Sequence, residues 1–224
     1  PTALVLYQGY EALHYARITD LTMVDRYPVP WLPLANFGQH VEMVRLALGP
    51  QKPLLAVIQA FDWTYAKDLL GDETPLRPPT YEEMRCMTYE ALARGATGLF
   101  YFAFDSGWKM TEHPKTWAAL TAIVQEVRAK EALFRAQPVW WPKEHAFGNR
   151  ATRFNEALQS SITSTRLRVQ RGNGEIPDGD YVLAVNNTTN RHTYWFKMPR
   201  SEPSEGRGQK SEVKRQKTED SRQR

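Results

Sequence analysis

The chain has 224 residues, 42% of them hydrophobic and 24% charged, with a formal net charge of +4 and a pI near 9.2. That is enough apolar material for one large folded unit or two small ones, and no apolar run approaches a membrane span. Residues 201–224 hold seven Lys/Arg and five Asp/Glu, which leaves 22 (29 less seven) and 20 (25 less five) in the body. A nearly balanced body argues against a nucleic-acid partner, and the Ser/Gln/Lys/Arg/Glu-rich tail reads as disordered and solvated.

The first apolar run, Ala3–Leu6, ends in Tyr7 and Gln8, and a short helix is expected over Glu11–Ile18. Leu21–Val24 is a second run, ending in Asp25-Arg26-Tyr27-Pro28. Val41, Val44 and Leu48 mark a helix over 37–48, stopped by Gly49-Pro50. The third run is the most informative, Lys52–Trp63 (KPLLAVIQAFDW). Its Leu54–Ile58 core lacks polar alternation, as a strand covered on both faces requires. Gln59, Asp62 and Trp63 then sit at its C-terminal end, where α/β folds place their chemistry. A ring-stacking Trp beside amide and carboxylate groups suits a polyol. Gln59 bonded to neighbouring backbone and Trp63 used in packing is the competing reading.

Thr80 and Glu83 form a capping box that opens a helix running to Arg94. Gly98–Phe104 is the fourth run, ending in Asp105-Ser106-Gly107-Trp108, and a helix over Trp117–Phe134 follows. Four strand–helix pairs predict a parallel sheet with right-handed crossovers. No glycine-rich phosphate loop follows any strand, so nucleotide cradling is unsupported and a barrel is favoured over a doubly wound sheet. Four units are half of a (β/α)8 barrel, so the N-terminal half is expected to be missing. Beyond Gln137-Pro138, Arg166–Gln170 alternates as a strand, and Asp180–Asn186 with His192–Met198 flanks a turn as a hairpin. The expected organisation is a partial barrel over 1–136, an irregular segment with part of a β-sandwich over 137–200, and a disordered basic tail over 201–224.

Cys86 is single and lies within a helix, which predicts a buried structural thiol. The five histidines are scattered without ligand spacing, so neither a metal nor another cofactor is expected. A removed leader would leave no trace, and the compartment stays open between secreted or periplasmic and others. The Asn186 and Asn187 sequons matter only for a secreted eukaryotic chain.

The run Lys52–Trp63 resembles the seventh barrel strand of the retaining (β/α)8 glycoside hydrolases, in which a Lys-Pro-apolar stretch ends in the nucleophilic Glu. Leu21–Pro28 is similar to their sixth strand, and Pro79–Phe104 resembles the last helix–strand passage of β-galactosidase-like enzymes. The likeness covers roughly residues 1–135, with a weaker echo to 199. It implies carbohydrate hydrolysis or binding, with a carbohydrate as partner and either a second copy or the missing barrel half on the open side. A membrane partner is not expected.

Gln59 stands at the position of the nucleophile, and an amide cannot serve as one. Glycoside hydrolysis needs two carboxyl groups about 5–5.5 Å apart for retention or about 6.5–9.5 Å apart for inversion. The family's acid/base Glu belongs to the absent fourth barrel strand. Asp25, Asp62 and Asp105 are the remaining strand-end carboxylates and the candidate catalytic groups, each also readable as a local cap or ion-pair partner. Gln59, Tyr27, Trp63, Tyr101 and Trp108 are the candidate substrate-binding residues. A chain without the acid pair is expected to be inactive alone, and a noncatalytic carbohydrate-binding or scaffold module is the alternative. A third reading, RNA association through the tail, rests on the basic residues alone.

Overall fold

The computed structural model describes residues 1–70, 76–139 and 161–191. Its first layer is a four-stranded sheet of β1 (Ala3–Leu6), β2 (Leu21–Val24), β3 (Leu54–Gln59) and β4 (Gly98–Phe102), ordered β1-β2-β3-β4. Every neighbouring pair is parallel, with Leu6 beside Val24, Val24 beside Ala56, and Gln59 beside Phe102. The segments after Leu6, Val24, Gln59 and Phe102 therefore share one edge, as the polar strand ends led one to expect.

The crossover helices are α1 (Ala12–Tyr15), α2 (Leu34–Leu48), α3 (Lys67–Leu70), α4 (Tyr81–Ala93), α5 (Pro114–Ala129) and α6 (Glu131–Phe134). α2 starts three residues before the expected Phe37, because the fixed φ of Pro33 already suits the N-cap position. α4 opens on the expected capping box: Thr80 Oγ1 accepts from the Glu83 amide at 3.2 Å, and Glu83 Oε2 accepts from the Thr80 amide at 2.8 Å. The helix expected over Trp117–Phe134 is two helices, beginning at Pro114 and interrupted at Lys130. Pro114 occupies the first turn, where its missing N–H costs nothing.

Alternation along the strands separates two faces. Leu6, Val24, Leu54, Ala56 and Ile58 are buried under the helices, packed with Val41, Val44, Met84 and Met87. On the other face Val5 is 49% exposed and Phe100 53%. A parallel sheet is normally covered on both sides, whereas the second face of this one is bare at Val5 of β1 and Phe100 of β4 and closed over β3, where Val57 is 7% exposed. At the edge opposite the site, Lys52 Nζ donates to the carbonyls of Ala16 at 2.6 Å and Thr19 at 3.0 Å. Arg45 likewise donates to Gly95 and Gly49, locking three crossovers together.

The second unit is a three-stranded antiparallel sheet, β5 (Gln137–Val139), β6 (Ile162–Val169) and β7 (Gly179–Asn186). It leans on α4 through a buried polar junction. Glu90, fully buried, accepts from Arg94 Nε at 3.0 Å and Asn187 Nδ2 at 3.2 Å. Arg94 also reaches Glu42 on α2 and Thr163 on β6. Gly38 on α2 lies against this pair, where a Cβ would collide with Glu90 and Arg94. The strand expected at 192–198 and the tail at 201–224 lie outside the described residues.

Candidate functional site

Four loops meet at the C-terminal edge of the parallel sheet. The β1 loop carries Tyr7, Gln8 and Glu11, and Glu11 Oε2 accepts from the Gln8 amide at 3.2 Å. The β2 loop carries Asp25, Arg26, Tyr27 and Trp31. The β3 loop carries Phe61, Asp62, Trp63 and Tyr65, and the β4 loop carries Phe104, Asp105 and Trp108.

Gln59 ends β3 and is fully buried. Its Oε1 accepts from the Val29 amide at 3.0 Å, while Nε2 donates to the Val29 carbonyl at 2.8 Å and the Phe61 carbonyl at 3.2 Å. Both donors and one acceptor site are thus spent within the chain. The amide imitates a strand neighbour and pins the β2 loop to β3. Trp63 reinforces the pin, its indole N–H donating to the same Val29 carbonyl at 2.9 Å.

That pin fixes Asp25 and Tyr27. The Asp25 amide donates to the Leu6 carbonyl at 3.1 Å, so its side chain leaves β2 beside β1. Burial is the main cause that raises its pKa from the ordinary carboxylate value, and the charge of Glu11 adds to it. The Tyr27 hydroxyl donates to this carboxylate and offsets part of the shift. Burial, then the Asp25 charge, pushes the Tyr27 phenol well above its ordinary value. Among the described residues Asp25 Oδ1 is buried without a hydrogen-bond partner. A half-buried carboxyl with one free oxygen leaves a polar group at this edge open to a ligand hydroxyl.

Arg26 lies 4.7 Å from the centroid of the Tyr7 ring and donates from Nε to Asn36 Oδ1 at 2.8 Å. His40 stays neutral beside it: burial, then Arg26, lowers its pKa, and Nδ1 accepts from the Gly9 amide at 2.7 Å. The other half of the edge is aromatic. Tyr27 meets Phe61 at 5.0 Å and Trp63 at 6.1 Å edge-on, and stacks on Phe102 at 5.9 Å. Trp63 in turn meets Trp31 at 5.5 Å.

The remaining candidates are placed elsewhere. Asp62 is 6% exposed, and its Oδ1 accepts from the Thr64 amide at 3.0 Å and from the Thr64 hydroxyl, an Asx turn that starts the following helical turn. Asp105 is exposed and bridges antiparallel to Lys109 around the turn at Gly107. Tyr101 sits on the helix-covered face, its hydroxyl sharing a 2.9 Å hydrogen bond with Thr88 of α4. Trp108 is 3% exposed and stacked on His113 at 4.2 Å. The structure brings Asp25, Gln59, Tyr27 and Trp63 together and leaves Tyr101 and Trp108 out of that group. Glu11, Arg26, Trp31 and Tyr65 join it without having been expected. Trp31 between Pro30, Leu32 and Pro33 was the available signal, since a Trp in a proline-rich loop after a strand has little core to enter.

Among the described residues no group of three His, Cys, Asp or Glu side chains is placed to hold a metal ion, and no helix is long and apolar enough to cross a membrane. Comparisons with protein-family models, curated proteins and solved structures find no match to this chain.

Proposed function

We propose that the chain is the C-terminal half of a glycoside-hydrolase-like (β/α)8 barrel whose carboxyl edge binds carbohydrate. Strand order supports the barrel: β1-β2-β3-β4 runs without the reversal that defines a doubly wound sheet. The bare face supports it too, since Val5 and Phe100 would point into a barrel interior filled by the other half. The single observation that carries the carbohydrate reading is the pairing of Asp25, with its free buried oxygen, and the Tyr27–Trp63–Trp31 rings at one edge. A pyranose presents an apolar face of C–H groups and a rim of hydroxyls, which such a pairing matches.

The hydrogen bonds of Gln59 favour a noncatalytic form of this reading. Asp25 offers one carboxyl, but Gln59, at the position that the resemblance gives to the nucleophile, is an amide already committed to Val29 and Phe61. Recognition without turnover is therefore the function of the chain alone. The test combines calorimetric titration with neutral oligosaccharides and intact-mass analysis after exposure to a mechanism-based 2-fluoroglycoside. Binding that Trp63→Ala weakens, with no mass adduct, agrees with the reading. A stoichiometric adduct overturns its noncatalytic part, and failure to bind any glycan overturns the whole.

A further inference from the structure

The aromatic group does not end at Trp63. Tyr65 lies nearly parallel to Trp63, at 6.2 Å and 23°, and Trp31 is tilted against the same ring at 49°. Phe61 beneath them is fully buried, whereas Trp31 is 43% exposed and Tyr65 47%. Trp63, which also meets half-buried Tyr27 at 6.1 Å, thus stands between two half-exposed rings.

The rings are held in place. The Trp63 indole is tied to Val29. Tyr65 is backed by Gly107, where a Cβ would stand 3.2 Å from the Tyr65 Cβ. Gly107 also has φ +74°, a conformation that side chains disfavour. Side chains fixed by the fold yet left half exposed forgo burial that the fold itself could use. Such a surface marks a contact with something else.

We propose, resting on the carbohydrate reading above, that Trp31, Trp63 and Tyr65 form adjoining stacking subsites with Trp63 in the middle, and that the ligand is a neutral oligosaccharide of several residues. Stacking covers the apolar face of each pyranose and leaves its hydroxyls to water, so successive rings can accept successive sugars. The loops of this edge carry Glu11, Asp62 and Asp105 against Arg26 and Lys109, and Lys109 is paired with Glu112 at 3.7 Å. A polyanionic glycan would meet like charge there.

The experiment titrates the whole chain by calorimetry with cello-, xylo- and manno-oligosaccharides of one to six residues. For the series that binds, dissociation constants should fall by about tenfold for each added sugar that covers a ring, and then level off. Trp31→Ala and Tyr65→Ala should each weaken the hexasaccharide by about tenfold and leave the disaccharide unchanged. Trp31→Phe should recover most of the loss, with melting temperatures confirming that all variants fold. A hexasaccharide that binds no tighter than the disaccharide, or variants that weaken both equally, overturns the subsite run while the carbohydrate reading stands. Absence of binding across all three series overturns both.

Discussion

Gln59 is the residue whose replacement discriminates best between an internal role and a ligand-facing one. In Gln59→Ala the Val29 amide loses its acceptor, and Val29 is only 2% exposed, so water cannot readily replace it. An orphaned buried donor costs about 1–3 kcal/mol. The Val29 carbonyl keeps its bond from Trp63, so it adds little. Truncating a fully buried side chain adds a packing loss of about 2 kcal/mol. The expected total is about 3–5 kcal/mol, a large share of a typical domain's 5–15 kcal/mol. Urea unfolding followed by tryptophan fluorescence measures it directly.

Gln59→Glu sharpens the test. A carboxylate still accepts from Val29 N–H but faces the Val29 and Phe61 carbonyls with no donor, so its folded pKa should rise above the ordinary value. Stability is then fully present below the unfolded-state pKa of about 4.3 and is lost as pH rises through the folded value. The variant should therefore lie closer to wild type at pH 4 than at pH 7. Gln59→Ala within 1 kcal/mol of wild type, on the scale of one hydrogen bond, would refute this account of the pin.

Four further outcomes are expected. Asp25→Asn should stabilise the protein at pH 7 and make no difference near pH 3, since burial raises the folded pKa and ionisation is what costs; equal stability at both pH values would contradict this. Arg94→Ala should cost about 3–5 kcal/mol by stranding buried Glu90, and hydrogen exchange should show β6 and β7 loosening from α4; unchanged protection would count against the junction. Thr80→Ala should cost about 1 kcal/mol through the lost cap, read from thermal unfolding. Light scattering should show concentration-dependent association through the bare sheet face, reduced by Phe100→Lys, and a strict monomer that binds no hydrophobic dye would contradict it.

The sheet was legible because Leu54–Ile58 is an unbroken apolar run ending in polar residues, as a strand covered on both faces requires, and β3 is buried at nearly every position. The capping box at Thr80 was legible because its two hydrogen bonds depend on residues three apart. The role of Gln59 was only half legible. Its place at a strand end follows from the run before it, but its partner Val29 is thirty residues away and becomes a neighbour only through the β2–β3 pairing. Tyr101 shows the same limit from the other side. Period-two alternation puts Tyr101 and Phe102 on opposite faces, but the sequence does not say which face the helices cover. Cys86 was expected to be buried and is half-buried, with burial pushing its thiol up to about 12, as suits an inert structural cysteine.

The central claim, a carbohydrate site at the carboxyl edge of the parallel sheet, is tested most directly by the indole N–H resonances of the tryptophans during titration with a neutral hexasaccharide. The account predicts shifts at Trp63 and Trp31, which border the site, with Trp117 on α5 unchanged and buried Trp108 nearly so. Shifts confined to Trp117, or none with any of the three oligosaccharide series, would contradict it.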